Sequence, residues 1–285
     1  MKNIIFLFGL TFLFNGCIKN NTEPSWLEVN EWVLEANPDS QYPVGELTHN
    51  FSDAWVYVND QIIGVFEVPF KIPILKEGDV NIKIYPTVRK NGIAGTKKMY
   101  PFVEVYEIDA VLTPNQTLTL NPKTRYKSFT QFWIEDFEDA AIKIENDPIS
   151  LTNLIKGNDP NTLQWGNFYG EIQLDETDSL WVGYSESMVL PKGEEVYLEL
   201  DYYNTNNLIT GVIGISSTEI KNNRNIRVND QDPSEVKWKK MYIELGEIIS
   251  NSPNAEYFKQ SFEAFLDEGK SSSFFIFDNI KVVHF

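Results

Sequence analysis

Asp53-Ala54-Trp55-Val56-Tyr57-Val58-Asn59-Asp60-Gln61-Ile62-Ile63-Gly64-Val65-Phe66-Glu67-Val68-Pro69 is the stretch on which the fold class turns. Branched and aromatic residues fill both of its runs and suit a pleated, half-buried surface. Asn59-Asp60 between them is a turn pair, so the segment reads as a β-hairpin that Pro69 ends. A second hairpin follows, from Phe70 to Leu75, through the Glu77-Gly78-Asp79 turn, into Val80-Asn81-Ile82-Lys83-Ile84-Tyr85, whose alternation gives it one buried face. Beyond the glycine-bearing loop Asn91 to Thr96, strands over Phe102 to Leu112 and Gln116 to Leu120 complete a first region, 25–122.

Residues 123–130 read as a linker. The remaining region, 131–285, opens on Phe132-Trp133-Ile134-Glu135-Asp136-Phe137-Glu138-Asp139 and closes on Phe274-Phe275-Ile276-Phe277-Asp278-Asn279-Ile280-Lys281-Val282-Val283. Short strands separated by Gly, Asn and Asp turns lie between, which argues for a second sandwich. One helix is expected after Ser252 as N-cap and Pro253 at the first helical position. Ala255, Phe258, Phe262, Phe265 and Leu266 would form its apolar stripe and Gly269 its terminator.

Two resemblances sharpen this outline. Val56-Tyr57-Val58-Asn59-Asp60, Ile63-Gly64, Pro69, Ile74-Leu75, Gly78 and the Val80 to Ile84 strand resemble a PEGA-type domain, a small β-sandwich of bacterial surface proteins, which implies a spacer or interaction module. The Asp136 to Asp139 opening and the Phe277 to Val282 closing stretch resemble the two ends of galactose-binding-like jelly rolls, the fold of many carbohydrate-binding modules. The expected class is therefore all-β: a small PEGA-like β-sandwich followed by a jelly-roll β-sandwich carrying one short α-helix.

The jelly-roll resemblance implies that Glu138 and Asp278 come together, with Asp136 or Asp139 adding charge, as oxygen ligands for a structural Ca²⁺. No EF-hand spacing supports that ion independently, and no cofactor is required. Sugar binding needs aromatic faces beside amides and carboxylates. Trp165, Tyr169, Trp181, Tyr203 and Trp238 are the candidates, and Trp165 leads because it sits among Gln164, Gly166 and Asn167 and not in an alternating strand. Catalysis finds little support. His49 and His284 are the two histidines, and no Gly-x-Ser-x-Gly or His-Glu-x-x-His motif occurs. A glycosidase needs two suitably spaced carboxylates, and among 41 acidic residues no pair stands out.

The N-terminus carries Lys2, the apolar run Ile4 to Phe14 and then Asn15-Gly16-Cys17, which has the three parts of a signal peptide over residues 1–16. Its end resembles the lipobox of bacterial lipoproteins, which implies cleavage before Cys17 and acylation of that sole cysteine. Residues 17–24 would then be the lipidated Cys and a polar tether. The run is about half of the roughly 20 apolar residues that a spanning helix needs. With 24 Lys and Arg against 41 Asp and Glu, the chain repels phosphate backbones, so no nucleic-acid partner is expected. The expectation is a lipoprotein of the cell envelope, placed at the outer membrane with the face left open. It would bind carbohydrate without catalysis, with envelope-protein docking and glycosidase activity as the alternatives.

Overall fold

A computed structural model describes residues 23–285; the signal peptide, Cys17 and nearly all of the tether lie outside the described residues. The chain is all-β, with two sandwiches in succession and, among the described residues, one short helix, Gly246–Ser250.

The opening hairpin forms strands β3 (Asp53–Val58) and β4 (Gln61–Glu67), closed by Asn59 and Asp60 at φ 51° and 58°. Positive φ at both central residues is what a two-residue turn needs to follow the right-handed twist of its strands, and Asn and Asp tolerate it. β3 also pairs with β6 (Gly78–Arg89), which carries β8 (Tyr106–Leu112) and β7 (Lys97–Met99) along its other edge. Facing this sheet, β1 (Ser25–Val29) lies between β5 (Phe70–Ile74) and β9 (Thr117–Leu120). Leu27, Val56, Ile82 and Ile84 fill the space between them with no exposed surface.

The second sandwich packs two sheets around Phe137, Trp181, Phe262, Phe275 and Phe277. One sheet runs β13 (Ile155–Gly157), β14 (Tyr169–Asp175), β21 (Ser272–His284), β16 (Val196–Asn204), β19 (Lys239–Glu244), with β11 (Gln131–Glu135) also on β21. The other runs β12 (Ile144–Asn146), β15 (Leu180–Ser185), β20 (Tyr257–Phe265), β17 (Leu208–Ile215), β18 (Ile220–Val228). The strand β20 corrects the expected helix. Phe258 and Phe262 stand four apart, a spacing that fits one helical turn and equally one face of a strand. Gln260 and Ala264 complete the buried strand face, while Phe265 turns out to solvent. Pairing with β15 on one side and β17 on the other holds the segment extended, so tertiary pairing decides between the two periods.

The sandwiches share a buried junction. Along β16, Leu198, Leu200 and Tyr202 enter the second core, while Tyr197 enters the first core together with Tyr242 and Val283. Tyr100 meets Tyr242 at 4.9 Å and Tyr197 at 5.6 Å between ring centroids. Residues 123–130 are built into this packing: β10 (Lys123–Thr124) pairs with β2 (Val33–Leu34), and Tyr126 is buried.

Candidate functional site

A cleft of about 990 Å³ opens beside this junction, lined by the start of β19, the end of β16, the loop carrying Trp165, and residues of the first sandwich. Three of its half-buried rings stand in a row. Trp165 meets Trp238 edge-on at 5.2 Å, and Trp238 lies 5.9 Å from Tyr203, which in turn stacks on Phe274 at 5.7 Å.

Local hydrogen bonds hold those rings. Trp238 Nε1 donates to the Thr162 carbonyl at 2.7 Å, tying the Trp165 loop to the β19 entry. The far side of that loop is gripped by Glu138, whose carboxylate accepts the backbone N–H groups of Asn167 and Phe168 at 2.6 and 2.9 Å and the Asn167 amide at 2.8 Å. Gly166, at φ 56°, passes so close that an added Cβ would push the Glu138 carboxylate off the loop it grips.

The floor is polar and closed. Thr48 donates to Asp201 Oδ2 at 2.5 Å and accepts from Lys240 Nζ at 3.0 Å. Lys240 pairs with Glu199 at 2.9 Å and with Asp201 at 3.5 Å. Behind it, Tyr100 and Tyr126 both donate to Glu199 Oε1, at 2.6 and 2.7 Å. Burial alone would raise the Glu199 carboxyl, but Lys240, Lys281 and the Tyr100 hydroxyl more than reverse it and hold Glu199 ionised, below the usual carboxylate range. For Asp201 burial wins over Lys240, and the carboxyl is raised. Burial, then Lys240, lowers His49. Its Nδ1 accepts the Phe51 N–H at 3.5 Å, so the proton of the neutral ring sits on Nε2.

Glu199 and Asp201 are two neighbouring carboxylates, but they do not form a hydrolytic pair. Glu199 has no exposed surface, and Lys240 and two tyrosines engage its oxygens, so no glycosidic bond can reach it.

Of the residues singled out in the sequence, Trp165, Tyr203 and Trp238 line this one cleft. Trp181 does not. It is fully buried against Phe277, with its indole N–H on Asn146 at 2.7 Å, so it has no ring face to offer a ligand. Tyr169 is also buried, and its hydroxyl accepts the Asp159 N–H at 3.3 Å, bracing the loop from beneath. His49, Arg89 and Lys240 line the cleft with no local sequence cue, because two of them come from the other sandwich and the third sits in an ordinary strand.

The expected calcium ligands come near one another, since Asp136 and Glu138 both act electrostatically on Asp278. Glu138 spends its carboxylate on the loop, and Asp136 accepts the Glu138 N–H at 3.3 Å. Asp278 is buried with Oδ2 unpartnered. Burial, with Asp201, Asp136 and Glu138 adding repulsion, pushes it up to about 8. Among the described residues no three His, Cys, Asp or Glu side chains converge as a metal set.

No protein-family model matches the chain, and no curated protein sequence matches it. Among solved structures, the chain is similar to the CBM22-2 xylan-binding domain from Paenibacillus barcinonensis, at 12% identity and TM-score 0.36 over 54% of this chain and 99% of that domain. It is similar to a family 11 carbohydrate-binding module from Clostridium thermocellum in complex with a β-1,3-1,4-mixed-linked tetrasaccharide, at 13% identity and TM-score 0.35 over 54% and 94%. It is also similar to the enzymatically active domain of tailspike protein 4 from bacteriophage CBA120, at 8% identity and TM-score 0.35, covering 53% of this chain and only 19% of that one. The ligands named for the neighbours are theirs.

Proposed function

We propose that the chain is a non-catalytic carbohydrate-binding protein of the cell envelope that holds a glycan in the cleft where its two sandwiches meet. The observation that carries this reading is the row Trp165, Trp238, Tyr203, whose rings remain half-exposed along one wall of a deep polar cleft. Pyranose rings present apolar C–H faces that stack on such surfaces, while their hydroxyls need donors and acceptors at the rim. Gln164, Asn50 and His49 line the same cleft and can supply them. The Trp238 N–H is already bound, so its ring face is what it has left to give. The floor carboxylates are likewise engaged internally, which suits retention of a sugar and not its hydrolysis.

Attachment through a lipid on Cys17 belongs to the same reading and rests on the Ile4 to Phe14 run and Gly16-Cys17. No helix among the described residues is long and apolar enough to cross a membrane. The first sandwich, PEGA-like in sequence, then stands between the lipid and the glycan while lending the cleft Thr48, His49, Asn50 and Arg89. A polysaccharide array probed with the whole protein and with Trp238→Ala tests the carbohydrate claim: retention by the first and loss by the second supports it. Capture of one defined partner protein with no glycan signal would favour envelope-protein docking instead. Radiolabelled palmitate incorporated by the wild type, and not by Cys17→Ala, tests the anchor.

A further inference from the structure

The cleft reverses the charge of the molecule around it. Acidic residues outnumber basic ones 41 to 24 in the chain, yet Arg89, Lys237, Lys239 and Lys240 line the cleft against the single carboxylate Asp201. Three of these five charges are neutralised locally. Lys240 is paired with Glu199 and Asp201, and Arg89 with Asp53 at 3.1 Å and Glu67 at 2.9 Å. Lys237 and Lys239 are different. Both are exposed, they flank Trp238 in sequence, and neither has a carboxylate partner among the described residues.

Hydrogen-bonding capacity is skewed the same way. Asp201, the one carboxylate present, already accepts from Thr48 and pairs with Lys240. The Asn50 amide nitrogen donates to the Lys240 carbonyl at 3.1 Å, which leaves its oxygen for a ligand. Sites for neutral sugars offer acceptors to hydroxyl protons. The charged groups left free are both donors, the Lys237 and Lys239 ammonium groups, beside the neutral amides of Gln164 and Asn50. A ligand fitting such a wall brings its own acceptors and negative charge.

We infer that the cleft takes an anionic polysaccharide, with Lys237 and Lys239 receiving carboxylate or sulfate groups while Trp165 and Trp238 stack on the sugar rings. This rests on the carbohydrate reading above and adds the ligand's chemical class. Uronate carboxylates and sulfate esters share the chemistry, and matched polymers separate them.

The test is affinity electrophoresis and titration calorimetry of the whole protein on two pairs: polygalacturonate against its methyl ester, and dextran sulfate against dextran. Within at least one pair the acidic member should bind about tenfold or more tightly than the neutral one. That preference should shrink as salt rises from about 0.1 M toward 1 M, where the screening length drops from about 10 Å to about 3 Å. Lys237→Gln/Lys239→Gln should weaken acidic binding about tenfold with an unchanged melting temperature, because both side chains are exposed. Trp238→Ala should abolish it, which separates a stacked glycan from bare ion exchange. Equal binding within both pairs, indifference to the lysine substitutions, or survival of Trp238→Ala would overturn the inference. Retention of neutral glycans alone would overturn it while leaving the carbohydrate reading intact, and no retention of any glycan would remove both.

Discussion

Lys240 Nζ lies 2.9 Å from Glu199 Oε2 in the seam between the two sandwiches, with 3% and 0% of the respective side chains exposed. A charge pair so deeply buried is tolerable only because Tyr100, Tyr126 and Thr48 satisfy the remaining valences. Lys240→Met would take from the buried Glu199 carboxylate its ion-pair partner, at a cost of about 3–5 kcal/mol. Urea denaturation at pH 7 checks the cost, and Lys240→Met/Glu199→Gln should recover part of it, because the buried Glu199 charge is then gone.

The Asp278 carboxyl gives stability a pH dependence of unusual sign. Its folded value of about 8 lies above the ordinary 3.8, so between those values the unfolded chain releases a proton that the folded chain keeps. Stability contributed by this residue therefore falls as pH rises from about 4 to 8 and levels off above. Asp278→Asn removes the penalty. Its melting temperature relative to the wild type should climb steadily across that window, and a gap that stays constant with pH would rule out the buried, protonated carboxyl.

Glu138 touches no ligand in this account; it is a positioning residue for the Trp165 loop. Glu138→Ala should cost only about 0.5–2 kcal/mol of stability, since the site is exposed, yet weaken glycan binding several-fold by freeing Trp165. Glu138→Gln, which keeps one acceptor oxygen, should fall between the two. Calorimetric titration alongside thermal melts separates the effects.

Two tryptophans that look alike in composition should behave oppositely. Trp181→Ala empties a core site and should destabilise by about 3–5 kcal/mol. Trp238→Ala, at a half-exposed position, should cost under about 2 kcal/mol while removing binding. Chemical denaturation of both variants decides.

These residues also show what the sequence makes legible. The Val56 to Val58 alternation and the Asn59-Asp60 turn specify a hairpin through local chemistry alone, and the structure forms it. Phe258 and Phe262 mislead because a spacing of four serves both periods, and only the neighbouring strands decide between them. Strand β18 is hard to see for the opposite reason. Lys221-Asn222-Asn223-Arg224-Asn225 is polar because it lies on a sheet edge, where charge and amides deter pairing with other chains. Trp165, in an irregular polar loop, can be placed on a surface from its neighbours. The opposite wall of the cleft comes from residues 48–50 and Arg89, more than 70 positions away in sequence, and no local pattern announces that meeting.

The central claim is that sugar rings rest on Trp165 and Trp238, and indole N–H resonances of ¹⁵N-labelled protein report on it directly. During titration with short fragments of the polymer the chain retains most strongly, the Trp165 and Trp238 signals, assigned by substitution, should move in a saturable way while that of Trp181 stays fixed. Saturable binding that leaves both cleft indoles unmoved would contradict the account.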